Sequence, residues 1–129
     1  MGCRVLFRFS SGVVAEGVIE CSEEVEKLLR NSPFTSTVEL WGEEIYFELP
    51  LKLNLIGERR VMIVGEIAYW PEGNCLCIFF GRTPHSRDNE PVAYSDVKPL
   101  GRVTSGLENL KKVKAGESVN VAVSRQPTP

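Results

Sequence analysis

Apolar and polar residues alternate with a period of two through most of this chain. In the segment CRVLFRF, residues 3–9, Val5, Phe7 and Phe9 fall on one side of an extended chain and the arginines on the other. The alternation returns after turn-forming residues in VVAEGVIE, EIYFEL and ESVNVAV. Since alternating segments bury one face of a sheet, the pattern predicts a mainly β domain.

One early segment changes to the helical period. In SEEVEKLLRNSP, Val25, Leu28 and Leu29 form an apolar stripe, Ser22 is a natural N-cap, and Pro33 lies beyond the end. A short α-helix is therefore predicted after the second strand.

A second helix is predicted in SGLENLKKVKAG. Ser105 and Glu108 have the spacing of a capping box, Leu107 and Leu110 share a face, and Gly116 suits the position after the helix. About eight strands with two short helices fit a closed antiparallel β-barrel whose open ends are covered by the helices.

Length and composition place the chain among ordinary globular proteins. Its 129 residues fit one domain, predicted over residues 1–124, with residues 125–129 as a flexible tail. The net charge of −2 provides no basic face for nucleic acid, and no apolar run is long enough to span a membrane. Without a signal-like N-terminus, we expect a cytoplasmic protein.

Four cysteines raise the question of a metal site. Cys3, Cys21, Cys75 and Cys77 lie in or beside strand-like segments, and reduced thiols are expected in the cytoplasm. Zinc is the alternative for Cys75 and Cys77, but zinc knuckles favour two residues between the thiols. Buried apolar side chains are therefore predicted, with neither a metal nor a cofactor.

Two segments together resemble a known family. GEIAYWPEGNCLCIFFGRT and PLGRVTSGLENLKKV follow each other as the corresponding hairpin and strand-turn-helix do in cyclophilins. With GEEIYFELPL and the continuation RTPHS, residues 3–124 resemble the small stand-alone cyclophilin-like domains of bacteria and archaea, whose function is largely uncharacterised. The resemblance implies a cyclophilin-like closed antiparallel barrel.

The resemblance also allows the prolyl isomerase site to be checked by position. The catalytic arginine of cyclophilins corresponds to a position near Leu40, where there is no arginine. Tyr46 and Glu48 replace an apolar wall residue and a glutamine, and Trp70 narrows the groove. Phe80 corresponds to the floor of the proline pocket. Ordinary isomerase activity is therefore disfavoured, and whether the protein is an enzyme stays uncertain.

The polar segment 81–96 is the longest predicted loop, and long loops often carry function. Arg82 at its start is a candidate to replace the missing cation or to bind a ligand carboxylate. His85 is the only histidine and a candidate acid–base group. The alternative for each is an exposed residue of a surface turn.

Strand alternation divides the residues before this loop. Cys75, Cys77 and Phe79 share one face, and Phe80 belongs to the other. We expect Phe79 and the thiols to fill the barrel and Phe80 to face the groove, where Tyr46 and Trp70 are further candidates.

The acidic residues near the centre of the chain are a weaker signal. Glu39, Glu43, Glu44 and Glu48 lie within ten positions, and paired carboxylates can perform acid–base catalysis. Solvated side chains are the favoured interpretation, with Glu43 and Glu44 in a turn.

Three hypotheses about function follow. The first is a domain that binds a peptide segment or small-molecule ligand in a surface groove, without ordinary isomerase activity. The second is a divergent prolyl isomerase that uses Arg82. The third is a structural domain with a vestigial groove that self-associates, with a homodimer as the expected form.

Overall fold

The structure is a computed structural model that describes residues 2–126, which form ten β-strands and two short helices. The strands are β1 (Gly2–Phe9), β2 (Val14–Glu20), β3 (Phe34–Thr37), β4 (Glu39–Leu40), β5 (Glu44–Glu48), β6 (Arg59–Val61), β7 (Glu66–Trp70), β8 (Cys75–Phe79), β9 (Val92–Ser105) and β10 (Ser118–Arg125). The helices are α1 (Glu23–Arg30) and a 3₁₀ helix (Leu107–Lys112). The predicted mainly β class with two short helices is confirmed.

All paired strands are antiparallel, in the order β3-β10-β1-β2-β9-β7-β8-β5-β4, with β6 beside β9. The two edge strands, β3 and β4, are neighbours in sequence. Residues 34–37 therefore pair with β10, and residues 39–40 pair with β5. At Val38 between them, the N–H donates to the carbonyl of Glu117 over 2.8 Å.

This arrangement corrects the prediction of a closed barrel. Among residues 2–126 the hydrogen-bonded ladder runs from β3 to β4 without joining its ends. The sheet curls so far that one stretch of chain supplies both edges, and because Val38 alone separates β3 from β4, the chain does not turn back there to pair the two strands. The two edges of the sheet are therefore joined by the peptide chain at Val38 and not by a ladder of hydrogen bonds.

The main core lies inside the curled sheet. Val5, Phe7 and Phe9 of β1 point into it, as the alternation predicted. The ring of Phe7 meets that of Phe47 edge to face, with centroids 6.2 Å apart.

Helix α1 covers one end of this core, as predicted. Val25 and Leu28 are fully buried, and the hydroxyl of Ser22 accepts a hydrogen bond from the N–H of Val25 over 3.2 Å. Neither helix of the described residues is long and apolar enough to cross a membrane.

The second helix differs from its prediction in type and caps. It is a 3₁₀ helix that begins after Gly106, whose φ is 85°, and Ser105 belongs to strand β9. The predicted capping box with Glu108 is therefore absent, since no side chain caps this helix. The helix ends at Lys112 with Val113 as its C-cap, so Gly116 does not occupy the position that ends the helix.

The cysteines divide into two kinds, which corrects the prediction of four reduced thiols. Cys3 and Cys21 form a disulfide, with Cα atoms 5.2 Å apart, and Cys75 and Cys77 are free and buried. The sequence did not indicate the pair because Cys21 lies just beyond β2, which brings it beside the start of β1 only once the hairpin forms.

We expect thiol counting to show this division. Under denaturing, non-reducing conditions two thiols should react with iodoacetamide, and all four after reduction. Mass spectrometry of the alkylated peptides should place the two unreduced labels on Cys75 and Cys77. Four labels without reductant would show that the native protein has no disulfide.

The C-terminal strand reaches into the predicted tail. Strand β10 includes Arg125, and the N–H of Gln126 donates to the carbonyl of Gly2 over 3.3 Å. The rest of the predicted tail, residues 127–129, lies outside the described residues.

Candidate ligand-binding site

The hairpin of β7 and β8 separates the main core from a second, smaller apolar cluster. Leu76 and Ile78 face the main core, whereas Cys75, Cys77 and Phe79 face the second cluster. The grouping by alternation is confirmed, but the expectation that Phe79 fills the barrel is wrong. Both faces of β8 are apolar and buried, so the alternation contained no polar side by which to orient the strand.

Between this second cluster and the first half of β9 lies an open pocket of about 240 Å³. Strand β5, the end of β7, the first half of β9 and the first residue of the β4–β5 turn supply its walls. Its lining consists of four aromatic residues, one acidic residue and two small apolar residues: Trp41, Tyr46, Trp70, Tyr94, Glu44, Ala93 and Val97. We call it the aromatic pocket.

The four rings of the aromatic pocket form a chain of edge-to-face contacts. Tyr46 and Trp70 have centroids 6.1 Å apart, Trp70 and Tyr94 6.2 Å, and Tyr94 and Trp41 5.8 Å. Their interplanar angles lie between 78° and 83°. Edge-to-face contacts are favourable for aromatic pairs, and each one covers at most one face of one of the two rings. The rings therefore enclose the pocket as walls and do not fill it as a stack.

Trp70 is fixed in place by the turn that follows it. Its indole N–H donates to Ser95 Oγ over 2.7 Å, and that hydroxyl donates to Glu72 Oε2 over 2.9 Å. The six-membered ring lies directly on Gly73, where an added Cβ would come within 2.4 Å of it. The PEG sequence of the turn thus makes room for the ring and holds it at the wall.

Glu44 is the buried acid of the aromatic pocket, which corrects its predicted position in a solvated turn. It is the first residue of β5, and only 6% of it is exposed. Burial raises the pKa of its carboxyl to about 7, although a hydrogen bond with the Cys77 thiol acts in the opposite direction. Among the described residues no ion pair includes Glu44.

The loop after β8 lies beside the aromatic pocket, where its His85 contacts two of the lining residues. It is shorter than the predicted segment 81–96, because β9 begins at Val92. Thr83 is buried, and its hydroxyl donates to the carbonyl of Val92 over 2.5 Å. The hydroxyl of Ser86 accepts from the N–H of Thr83 over 2.8 Å and donates to the carbonyl of Glu90 over 2.6 Å.

These bonds hold His85 at the rim. Its ring stacks on Tyr94, with centroids 5.9 Å apart, and meets Trp41 edge to face at 4.9 Å. Of the residues predicted for the site, the structure thus brings together Tyr46, Trp70 and His85.

The other three predicted residues lie elsewhere. Arg82 is exposed and donates to the carbonyls of Asp88 and Ser86, within its own loop. Phe80 is half-buried against the main core and faces the 3₁₀ helix. Glu48 is exposed at the end of β5, opposite Cys75.

Five lining residues were absent from the predicted set: Trp41, Glu44, Ala93, Tyr94 and Val97. The period of two places Glu44 on the same face as Tyr46, so this residue could have been found from the sequence. Trp41 was predicted in a turn and Tyr94 in a loop, and such segments have no periodicity that indicates which way a side chain points.

The two free thiols beside the aromatic pocket are poor nucleophiles. Burial raises the pKa of Cys75 to about 11 and that of Cys77 well above its ordinary value. A thiolate is the reactive form, so neither side chain is suited to covalent catalysis near neutral pH.

Comparison with known proteins places these features in a family. The model of the cyclophilin-like family matches residues 3–122. The solution structure of the hypothetical protein AF2241 from Archaeoglobus fulgidus has a TM-score of 0.81, is 34% identical, and the match covers 94% of each chain. A search of curated proteins found no significant match. The resemblance drawn from the hairpin and the PLGRV segment is confirmed.

Proposed function

Since the chain belongs to the cyclophilin-like family, we propose that it is a binding domain whose aromatic pocket takes a peptide side chain or a small ligand. The observation that carries the proposal is the open volume of about 240 Å³ enclosed by four aromatic rings and one carboxylate. This volume lies below the usual range for whole drug-sized ligands. The pocket therefore suits one side chain or one head group, with the rest of the ligand outside.

The lining of the aromatic pocket gives no support to isomerase chemistry. In cyclophilins an arginine polarises the X-Pro amide, and the lining of this pocket has neither arginine nor lysine. Arg82, the candidate replacement, is engaged by carbonyls of its own loop. We therefore propose a domain without ordinary isomerase activity.

The position of Trp70 argues against a vestigial groove. A large side chain would be expected to fill a groove that had lost its function. The indole of Trp70 instead lies at the wall of the pocket, where it is hydrogen-bonded to Ser95. Homodimer formation stays a prediction, which sedimentation velocity of the purified chain would decide.

The prokaryotic source and the cytoplasmic location also stay proposals. The disulfide between Cys3 and Cys21 bears on the cytoplasmic location. Such bonds are rare in the cytoplasm except in hyperthermophiles.

Binding should be measurable with a panel of blocked tripeptides, Ac-Ala-X-Ala-NH₂, with each of the twenty amino acids or trimethyllysine at X. We expect one class of X to shift the amide resonances of Tyr46, Trp70 and Tyr94 in ¹H–¹⁵N spectra, in a saturable manner. Trp70→Leu should weaken this binding by about tenfold or more, because it removes one wall of the pocket.

Phe80→Leu is the matched control for Trp70→Leu. It changes an aromatic residue that is also half-buried but lies on the other side of the sheet, so binding should stay unchanged. Shifts confined to the surface around Phe80, or equal losses in both variants, would refute the assignment of the site.

A protease-coupled assay with a proline peptide tests the absence of isomerase activity. We expect no acceleration above the uncatalysed rate at micromolar protein. Acceleration that disappears in Arg82→Ala would instead support the divergent isomerase.

A further inference from the structure

The aromatic pocket combines ring faces with a buried acid, and this combination specifies the charge of its ligand. We propose that the pocket binds a methylated or quaternary ammonium group, held between the aromatic rings and the carboxylate of Glu44. This inference rests on the proposed function, because it names the chemistry of the ligand for the same pocket.

The rings meet the geometric requirement for a cation. Ring faces carry the negative part of the aromatic quadrupole and attract a cation within about 6 Å of the centroid. Trp41, Tyr46, Trp70 and Tyr94 line one small volume and cross at close to right angles, so they surround it from several directions. A flat stack of the same rings would offer two faces only.

Glu44 meets the electrostatic requirement. Its side chain is more than nine-tenths buried, lines the pocket, and belongs to no ion pair among the described residues. A buried carboxylate without a counter-charge is unfavourable, and its neighbour Cys77 supplies only a thiol hydrogen bond. A cation in the pocket would provide the missing charge.

Differences in hydration favour methylated nitrogen over a primary ammonium group. A lysine ammonium is strongly hydrated and needs acceptors for three N–H groups. Besides Glu44, the side-chain acceptors of the lining are the two hydroxyls of Tyr46 and Tyr94, because the indole of Trp70 is a donor already used by Ser95. A methylated ammonium group loses less hydration and makes its contacts with ring faces.

Other ligand charges fit less well. An anion would meet the carboxylate of Glu44 at close range. A neutral apolar group, such as a proline ring, would contact the rings but leave Glu44 unpaired. The neutral case is therefore the alternative that the experiment must separate.

Choline and its uncharged isostere, 3,3-dimethylbutan-1-ol, make this separation. Trp41 and Trp70 are the two tryptophans of the chain and both line the pocket, so intrinsic fluorescence reports directly on it. At constant ionic strength, we expect choline to bind at least about tenfold more tightly than the alcohol. Equal affinities would overturn the inference while leaving the proposed binding site intact.

Glu44→Gln should weaken choline binding by about tenfold or more and leave the alcohol unaffected. Glu43→Gln is the matched control, since Glu43 is exposed in the adjacent turn and lies outside this lining. If Glu44→Gln and wild type bind choline equally, the carboxylate has no part in recognition and the inference is wrong. Absence of choline binding would also overturn the inference. The tripeptide panel then tests the proposed function independently.

The pH dependence provides a further readout, because the charge of choline does not titrate. Choline affinity should fall about tenfold from pH 8 to pH 6, as Glu44 becomes protonated. The other titratable groups around it are Glu39 on β4, Tyr46 on β5, Cys75 and Cys77 on β8, Tyr94 on β9 and His85 in the loop. His85→Asn should keep the fall and Glu44→Gln should abolish it; the reverse result would contradict the role of Glu44.

Discussion

Glu44→Gln is expected to raise the free energy of unfolding by about 3 kcal/mol at pH 8.5 and to change it little at pH 5. The carboxyl has a pKa of about 7 in the folded protein because it is buried, against an ordinary value of 4.5. Between these two values the folded state holds a proton that the unfolded state has released. Wild-type stability therefore falls as the pH rises through this window, and stays lower above it.

Glutamine removes the titration while keeping the shape of the side chain. Urea unfolding of both proteins, measured from pH 5 to pH 8.5, should give curves that diverge mainly between pH 5 and pH 7.5. The difference between the two curves removes the contributions of the titratable groups that the two proteins share.

Glu43→Gln is the control, since this neighbouring side chain is exposed. Its difference from wild type should stay within about 0.5 kcal/mol across the range. A Glu44→Gln curve parallel to that of wild type would show that the acid is not buried as described.

Gly101→Ala is expected to destabilise the protein by about 3 kcal/mol, the upper end of the usual range for overpacking. Gly101 lies in β9 where this strand pairs with both β2 and β7, opposite Ile19 and Ile67. An added Cβ would lie 1.8 Å from the carbonyl oxygen of Val18 and 2.8 Å from the Cα of Ile19. Both contacts are with backbone, so the strands themselves would have to move.

Gly116→Ala separates this contact from the general effect of losing a glycine. Gly116 has a φ of 92° and no atom within 4 Å of an added Cβ, so alanine there should cost about 1 kcal/mol through backbone strain alone. Thermal or urea unfolding measures both variants. If Gly101→Ala costs no more than Gly116→Ala, the close approach of β9 to β2 is not as described.

The close approach at Gly101 also explains part of what the sequence could predict. The PLGRV segment was one basis for the family resemblance, and its glycine is required where two strands come too close for a side chain. The family resemblance therefore depended in part on a glycine that the packing of two strands requires. The inward face of β1 and the N-cap at Ser22 followed from local patterns, and the structure confirms both.

The candidate site was predicted less completely because its residues come from segments without periodicity or with two apolar faces. Tyr46 and Trp70 were found through the resemblance, but Trp41 and Tyr94 lay outside any regular pattern. Phe79 and Phe80 were assigned to the wrong faces because β8 is buried on both sides.

Local patterns in the chain were enough to predict the class of fold, the course of most strands and the family. These follow from alternation, turn residues and motifs, each of which acts over a few neighbouring positions. Three features became visible only in the folded arrangement: the Cys3–Cys21 disulfide, the open ladder and the aromatic pocket. The disulfide depends on the register of the β1–β2 hairpin, the open ladder on the curl of the sheet, and the pocket on residues that β5, β7 and β9 supply together. None of these follows from the local order of residues alone.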